Sequence, residues 1–496
     1  RFEIVHFIFP PLALGGALSG QTANLFGGWH EFAMVMGASV LLVIALLESP
    51  ASWWMRYVLF LLAIVALVIL VIANFVDVWL VLLVGIALFL FVRGKQLQLL
   101  GSISLARREW PAVAAGLIAG FFAAFGGFVG NVLPEQIRIS QLEVRPSWQG
   151  TIAIGKESLS RPATLFFGTG PNTFSRQWGL HKPVEVNQTP YWDADFNVGA
   201  ASIATSLVSV GILGLLAWIA LLFSQALVVL RVARSSDLTS SSSMKLGVGI
   251  TALYLAAFFA FSIPGAALTM FSFLFFGLSL ATLAGSSAVS SREYIIHGNG
   301  LRVAATASVV LLFTMGALVA SLSTARVVAA DTLVNRAIYT YNTSQDMALT
   351  SALIGSALNV YPGSDRAHRT AVQLGLLELQ QMIANADPSK IEEKDALQRK
   401  LESTIQHGSE AVALSGDEYR NCLYLAATFS QLAGARIEGA YENAQAAYSR
   451  AMEENPTSPL PLLDLAQLEL LTENPEGALQ YLAQALQLKG DLGQAF

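Results

Sequence analysis

The sequence predicts an all-α protein: a polytopic helical membrane protein with a long extracytoplasmic loop and a C-terminal helical-repeat domain. Three observations support this fold class. Hydrophobic residues make up 54% of the 496 residues and charged residues only 13%, whereas soluble chains carry roughly 25% charged residues. The charge deficit lies in the first ~325 residues, where one apolar run follows another. The last ~170 residues have a soluble composition and contain a sequence repeat.

The apolar runs are long enough to cross a bilayer as helices. About 20 apolar residues span the ~30 Å hydrocarbon layer, and backbone in lipid must form its hydrogen bonds internally. The runs are 31–49, 54–73, 76–92, 110–130, 199–230, 246–263, 266–285 and 303–323. A shorter run at 4–19 is interrupted by Pro10 and Pro11. It follows Arg1 almost directly, so we expect further sequence, and with it further helices, before the first residue.

These runs divide the chain into four predicted domains. They are the first transmembrane helices (1–130), the loop with the candidate site (131–198), further transmembrane helices (199–323) and the repeat domain (324–496). The run at 199–230 is longer than a bilayer requires, so we expect it to tilt or to project beyond the membrane.

Basic residues in the short loops predict the orientation, because Lys and Arg concentrate on the cytoplasmic side. The basic residues of three short loops are Arg93, Lys95, Arg107 and Arg108, then Arg231, Arg234 and Lys245, then Arg292 and Arg302. These loops fall on one side if the spans alternate. The long loop and the C-terminal domain are then predicted to lie outside the cytoplasm.

Composition argues against several other classes of protein. A net charge of −5 offers no polybasic surface for nucleic acid. The single cysteine, Cys422, permits no intramolecular disulfide framework and no cysteine metal cluster. Few ionisable residues lie in the middle of the apolar runs, which counts against an ion-coupled transporter.

The C-terminal part repeats with a period of 34 residues. Residues 441–456 resemble residues 475–490, so that Ala444 corresponds to Ala478 and Ala451 to Ala485. The period and the alternation of small and large residues are typical of tetratricopeptide repeats, which bind proteins or peptides on a concave face. Residues 411–432 and 345–386 are weaker repeats. A packed helical cap without a partner is the alternative interpretation.

The long loop contains most of the polar candidates. Residues 147–159 predict an amphipathic helix with Trp148, Ile152 and Leu159 on one face. The following FGTGP sequence, with Gly168 and Gly170, predicts a tight turn. Such a turn can present backbone N–H groups to an anion, although many glycine-rich turns are only turns.

The order of these motifs resembles the O-antigen ligase and polymerase family of bacterial membrane glycosyltransferases. The matching segments are Arg145-x-x-Trp148 before the amphipathic helix, the GTGPNTF turn at 168–174, the GILGLL segment at 211–216, and QTANLFGGWHEF near the first helix. The resemblance covers roughly residues 15–230 and rests on short motifs.

The resemblance implies metal-independent transfer of a glycan from a polyprenyl diphosphate, without a cofactor, at the outer face of a bacterial inner membrane. The acceptor would be a lipid, a glycan or a protein. By motif, Arg145 matches the family's diphosphate-binding arginine, and arginine can bind phosphate oxygens bidentately. The alternative is a structural role, in which Arg145 caps a helix or pairs with Glu143 or another carboxylate of the loop. Further candidate substrate-binding residues are Arg138, Arg161, Gly168, Gly170, Asn172, Arg176 and Lys182.

The sequence also departs from the family. Family members carry a histidine where Phe196 precedes Asn197 here, and phenylalanine cannot accept a proton. By position Asp195 is the best substitute for a general base, followed by Asp193 and His181; a helix cap is the alternative role for Asp195. His30 lies near the same predicted face, where an interfacial structural role is expected.

The missing histidine leaves a second function open. In that alternative the chain is a non-catalytic membrane scaffold, which presents its repeat domain to protein partners in envelope assembly. A transporter is less favoured, for the reason given above.

Overall fold

The computed structural model describes residues 26, 28–49, 52–98, 109–132, 144–234, 240–282, 300–385 and 391–493, and the regular elements in these ranges are helices. The chain forms two compact units. The bundle unit comprises Arg1–Asn172 and Val198–Glu293, and the repeat unit comprises Thr173–Asn197 and Tyr294–Phe496. The predicted all-α class is confirmed for the described part of the chain.

The helices follow one another closely. In chain order they are α1 (Trp29–Leu47), α2 (Trp53–Ala73), α3 (Val76–Gln98), α4 (Trp110–Val132), α5 (Trp148–Ser158), α6 (Pro162–Phe167), α7 (Phe174–His181), the 3-10 helix Val184–Gln188, α8 (Ser202–Arg234), α9 (Ser240–Phe261), α10 (Ala266–Ala281), α11 (Gly300–Ser344), α12 (Met347–Val360), α13 (Asp365–Asn385), α14 (Ile391–Leu414), α15 (Tyr419–Gly434), α16 (Ala440–Glu454), α17 (Leu460–Leu471) and α18 (Pro475–Leu488).

Seven helices within the described ranges are long and apolar enough to cross a membrane. They are α1 to α4, α8, α9 and α11, and they coincide with predicted apolar runs. The run predicted at 266–285 is α10, a shorter apolar helix that ends at Ala281. The run at 4–19 lies outside the described residues.

The core of the bundle unit forms where α1, α3 and α9 meet. Fully buried side chains include Met34 and Leu41 of α1, Trp79 of α3 and Phe258 of α9. Small residues allow this close packing: a Cβ atom on Gly247 of α9 would be 2.1 Å from the Cβ atom of Ala45. By contrast, only 11% of the apolar stretch of α2 is buried, so this helix lies at the surface of the bundle.

Polar contacts join the ends of helices in the bundle unit. At one end, which we call the loop end, the Glu31 carboxylate of α1 accepts hydrogen bonds from the N–H groups of Gly28 (3.1 Å) and Gly265. The Ser202 N–H at the start of α8 donates to the Ser262 carbonyl after α9 at 3.0 Å. The starts of α1, α8 and α10 and the end of α9 therefore lie together, as spans of alternating direction require.

The opposite end of the bundle carries a buried ion-pair cluster. Arg93 of α3 lies 2.7 Å from Glu48 after α1 and 4.0 Å from Glu109 before α4, and the three side chains are only 3–11% exposed. Charges that are buried this deeply are tolerated when they are paired. We call this the far-end cluster.

Helix α8 is broken at Gly211, where φ is 70° and ψ is −163°. The sequence predicted that the run at 199–230 tilts or projects beyond the membrane, and this stays a prediction. The 33 residues of α8 would extend roughly 50 Å as an unbroken helix, and the break at Gly211 was not predicted. It lies at the first glycine of the GILGLL segment, since a left-handed φ is readily accessible only to glycine.

The C-terminal segment of the repeat unit begins with the 45-residue α11. The first part of α11 is apolar and exposed, whereas Ala330, Val334 and Ala337 are fully buried against α12 and α13. One helix thus serves as an apolar span of membrane length and as the first packed helix of the repeats. The predicted boundary at residues 323 and 324 falls within it.

The C-terminal helices pack as the predicted repeat. Ala444, Ala451, Ala478 and Ala485 are at most 1% exposed, and Tyr448 is 2% exposed. Small residues at equivalent positions let the paired helices approach closely, and the large ring fills the space between neighbouring pairs. The structure confirms the assignment of small and large positions made from the 34-residue period.

Candidate functional site

Arg145 lies just before α5, at the loop end of the bundle unit. Ser147 caps α5 by accepting a hydrogen bond from the Gly150 N–H at 3.0 Å. The Thr151 hydroxyl accepts a hydrogen bond from the Ala200 N–H at 2.9 Å, which ties α5 to the start of α8. The Arg145 guanidinium is partly buried and donates to the Ala200 carbonyl at 3.3 Å. These contacts fix the arginine beside the start of the broken helix.

The predicted helix forms over Trp148–Ser158, and small and polar residues make up most of its buried face. The buried residues are Gly150, Thr151, Ile154, Gly155 and Ser158. Trp148 and Ile152, which the sequence places on one apolar face, are 48% and 64% exposed. This apolar face therefore does not form the packed side of α5.

The FGTGP turn packs directly against the break in α8. The Thr169 and Gly170 N–H groups donate to the Val208 and Ser209 carbonyls at 3.0 Å each. These carbonyls lack regular helical partners because α8 is interrupted at Gly211. The turn therefore satisfies the backbone groups that the break exposes.

These contacts correct one part of the sequence interpretation. The turn exists, and φ is positive at Gly168, Gly170 and Asn172. However, the Gly168 N–H donates to the Thr164 carbonyl at 2.7 Å, and the next two N–H groups are engaged with α8. The prediction that this turn offers these N–H groups to an anion is wrong. Asn172 is exposed and stays a candidate.

The predicted set of site residues is divided between the two units. Arg145, Arg161 and the glycine turn belong to the bundle unit. Arg161 precedes α6 and is exposed, without an ion pair among the described residues. Residues Thr173–Asn197, which we call the strap, belong to the repeat unit and carry the other candidates. Arg138 lies outside the described residues, as does Glu143, the alternative partner of Arg145.

The strap contacts residues at the ends of several helices of the repeat unit. Its Arg176 guanidinium donates to both carboxylate oxygens of Glu454 at the end of α16, at 3.0 and 3.1 Å. Asn187 is fully buried and donates to the carbonyls of Thr457 (2.9 Å) and Leu488 (3.2 Å). Its own carbonyl accepts from the Lys489 ammonium at 3.0 Å. Arg176 was predicted to bind substrate, but its guanidinium is engaged by the Glu454 carboxylate within the repeat unit.

Arg420, at the start of α15, binds the third part of the strap. Its guanidinium lies 2.5 Å from the Asp195 carboxylate and 3.1 Å from that of Asp193, and it also donates to the Asp193 carbonyl at 2.8 Å. Burial raises the pKa of Asp193 above its ordinary value, while Arg420 acts in the opposite direction. Asp195 does not cap α8, which begins at Ser202. To act as a base, Asp195 would first have to leave Arg420.

Lys182 is buried rather than available to a substrate. Its ammonium donates to the Trp192 carbonyl at 2.8 Å, and the residue is 5% exposed. Burial lowers the pKa of Lys182, although Asp195 and Asp193 raise it. The predicted substrate-binding role of Lys182 is therefore not supported by its position, whereas His181, its partly buried neighbour, stays an untested candidate.

Phe196, at the position of the family histidine, has a packing role. Its ring meets the buried Trp178 edge-on, with centroids 4.9 Å apart. The Trp178 indole N–H donates to the Ala194 carbonyl at 3.1 Å. An aromatic pair of this geometry contributes about 0.5–1.5 kcal/mol beyond its buried area. Here the position stabilises the strap.

Sequence reasoning missed the partners of the strap and one pair in the bundle. Nothing in the local sequence of Arg420 or Glu454 marks a contact more than 220 residues away. His30 was noted, but its partner Asp77 was not: their side chains lie 2.6 Å apart at the loop end. A lone acid at the start of an apolar run was the available signal, because such residues are often functional.

The fold defines the class of this protein: a helical bundle with helices of membrane-spanning length, joined to helical repeats. A family model described as tetratricopeptide repeat matches residues 435–494, which cover α16 to α18. No curated protein matches the chain. The repeat assignment at the C-terminus is thus supported by both sequence and fold.

Proposed function

We propose that this chain is a membrane glycosyltransferase of O-antigen ligase or polymerase type. It would transfer a glycan from a polyprenyl diphosphate to a lipid, glycan or protein acceptor, with the loop end outside the cytoplasm. One observation carries the proposal. Within a single unit, the Arg145 segment and the FGTGP turn each contact the first part of α8: Arg145 contacts Ala200, and the turn contacts α8 up to Gly211, the first residue of the GILGLL segment.

Arg145 supplies the chemistry that this reaction needs. A diphosphate leaves with developing negative charge, and a guanidinium gives permanent positive charge with bidentate geometry. The hydrogen bond to the Ala200 carbonyl and partial burial hold the group in place, so little reorganisation is needed when the charge develops. The exposed Arg161, on the next segment of the same unit, is a second cation for the donor.

The test is transfer by purified full-length protein in lipid nanodiscs, with a polyprenyl-diphosphate glycan and an acceptor. Arg145→Ala should lower the rate roughly 100-fold or more, and Arg145→Lys should restore only part of it because lysine lacks the planar fork. Arg436→Ala removes an ion pair that is 82% and 78% exposed and serves as the matched control. Wild-type protein without transfer, or Arg145→Ala with unchanged transfer, would overturn the proposal.

A second candidate function is a membrane scaffold that presents the repeats to a protein partner. It is favoured by the tetratricopeptide match and by a cavity of about 400 Å³ in the repeat unit. The cavity is lined mainly by apolar and aromatic side chains of α11 to α13 and α15, among them Ile338, Tyr341, Leu377 and Tyr424. A scaffold needs neither Arg145 nor the glycan donor, so unchanged partner binding by an inactive Arg145→Ala variant would show a separable role.

A further inference from the structure

Among its described residues, the bundle unit holds a cluster of ionisable side chains at each end, and these two clusters differ in accessibility. In the far-end cluster, Arg93 and its two carboxylates are 3–11% exposed. At the loop end the His30 Nε2 atom lies 2.6 Å from the Asp77 Oδ2 atom, and the side chains are 10% and 40% exposed. Only the second of these clusters presents a carboxylate that a substrate can reach.

The loop-end pair is also chemically different. The far-end carboxylates are neutralised by a guanidinium, which does not titrate. His30 can donate from Nε2 to one oxygen of Asp77, and the carboxylate, which also accepts backbone N–H groups, keeps lone pairs for a further proton donor on its exposed side. The His30 ring is fixed from its other side by Phe75, with centroids 4.6 Å apart. A carboxylate that is oriented by a fixed imidazole is a suitable arrangement for proton transfer.

Several hydrogen bonds between neighbouring segments place this pair at the same end of the bundle as Arg145. Arg145 donates to the Ala200 carbonyl, and Ser202, two residues later, donates to Ser262. Three residues beyond, the Gly265 N–H donates to Glu31, the neighbour of His30. The pair and the arginine therefore belong to the same end of the same unit.

The pair also provides a carboxylate that is not bound by a guanidinium in the described part of the chain, which the strap does not. The strap aspartates are bound by Arg420 in the repeat unit, and Phe196 cannot accept a proton. Asp77 makes no contact of this kind with a permanent cation among the described residues. Its one ion-pair partner there is an imidazole, which can be neutral while it holds the carboxylate.

We propose that Asp77 is the catalytic base of the transferase and that His30 is its positioning residue; this inference rests on the function proposed above. The acceptor hydroxyl oxygen forms the new bond to the anomeric carbon of the glycan. The bond between that carbon and the diphosphate oxygen breaks, and the electron pair leaves with the diphosphate, which Arg145 stabilises. The hydroxyl proton passes to the partly exposed Asp77 carboxylate, which the His30 Nε2–H holds in position.

The experiment measures transfer and donor binding by full-length protein in nanodiscs across pH 5 to 9. Asp77→Asn should lower kcat at least 100-fold and leave the affinity for the lipid-linked donor within threefold. Asp77→Glu keeps a carboxylate and should retain measurable transfer. His30→Gln should lower kcat about tenfold and shift the acid limb of the pH profile, which loss of a purely structural contact would not do. Asp331→Asn changes a partly exposed aspartate of α11 that lies 3.6 Å from Arg366; it is the matched control and should keep wild-type transfer.

The outcomes separate the two proposals. A wild-type protein that transfers nothing removes the proposed function and this inference together. Wild-type transfer with an equally active Asp77→Asn variant overturns the base assignment alone. The base assignment is also overturned if Asp195→Asn, rather than Asp77→Asn, loses transfer while donor binding is retained. If Asp77→Asn unfolds, Asp77→Glu decides: a folded Asp77→Glu protein without transfer at any pH overturns the assignment.

Discussion

Gly211 lies so close to Gly168 that a Cβ atom on Gly211 would be 2.5 Å from the Gly168 nitrogen. On the other side of this contact, a Cβ atom on Gly168 would be 2.3 Å from the carbonyl carbon of Ser209, two residues before Gly211. Both glycines have left-handed φ values, 70° and 73°. The turn and the break in α8 are therefore one structural feature, which requires glycine on both sides.

Replacing Gly211 with alanine should destabilise the bundle unit. The substitution adds backbone strain of order 1–3 kcal/mol and a steric clash with the turn, so we expect the Tm in detergent to fall by several degrees. Gly277→Ala is the matched control, because a Cβ atom there meets nothing within 4 Å. Equal Tm values for the two variants would contradict the packing described here.

Arg420→Ala should release part of the strap from the repeats. The variant loses charged hydrogen bonds to Asp193 and Asp195, whose side chains are 43% and 31% exposed, so we expect a cost of about 1–2 kcal/mol. Hydrogen exchange followed by mass spectrometry should show faster exchange across Thr173–Asn197. Arg436→Ala breaks an exposed pair with Glu473, which should matter little. Unchanged exchange in the strap of the Arg420 variant would show that Arg176 and Asn187 hold it alone.

The His368–His407 contact should make the repeat unit sensitive to acid. Their Nδ1 atoms lie 3.0 Å apart, which requires that at most one of them carries a proton on that side. Burial lowers the pKa of His407, and His368 and Lys400 lower it further, whereas Glu410 raises it. The unfolded chain takes up the proton first, so stability is present above about pH 6.5 and falls as the pH drops through the lower folded pKa.

The measurement is thermal unfolding of wild type and His407→Gln between pH 7.5 and pH 5. Wild-type Tm should fall by a few degrees more than that of the variant over this window. Parallel curves would show that the pair does not titrate there.

Asp464 should oppose stability at neutral pH. Burial in the last repeat pair raises the pKa of its carboxyl to about 6. The folded state then holds a proton that the unfolded chain releases near pH 4, so stability falls as the pH rises from about 4 to 6. Asp464→Asn should stabilise the protein by about 1–2 kcal/mol at pH 7 and have little effect at pH 4. The exposed Glu453→Gln is the control, and an equal gain for both variants would contradict a specific cost at Asp464.

Local patterns predicted the helices and the repeat, because these depend on the neighbouring sequence. Apolar runs of about 20 residues must be helical in lipid, and small residues 34 apart allowed Ala444 and Ala478 to be assigned as buried. The capped helix after Arg145 and the turn at Gly168 were also predictable, since Ser147, glycine and proline act on their own backbone.

The sequence by itself thus determined that the chain is helical and largely apolar and that its C-terminal part contains repeats. Only the tertiary structure decided which polar groups are available. Arg420 binds Asp195 across 225 positions, and His30 meets Asp77 across 47, because helix packing rather than sequence distance sets these contacts. The same packing consumes the turn N–H groups at the break in α8. A side chain's type can be read from its letter, but whether it is free to act depends on the partners that folding brings to it.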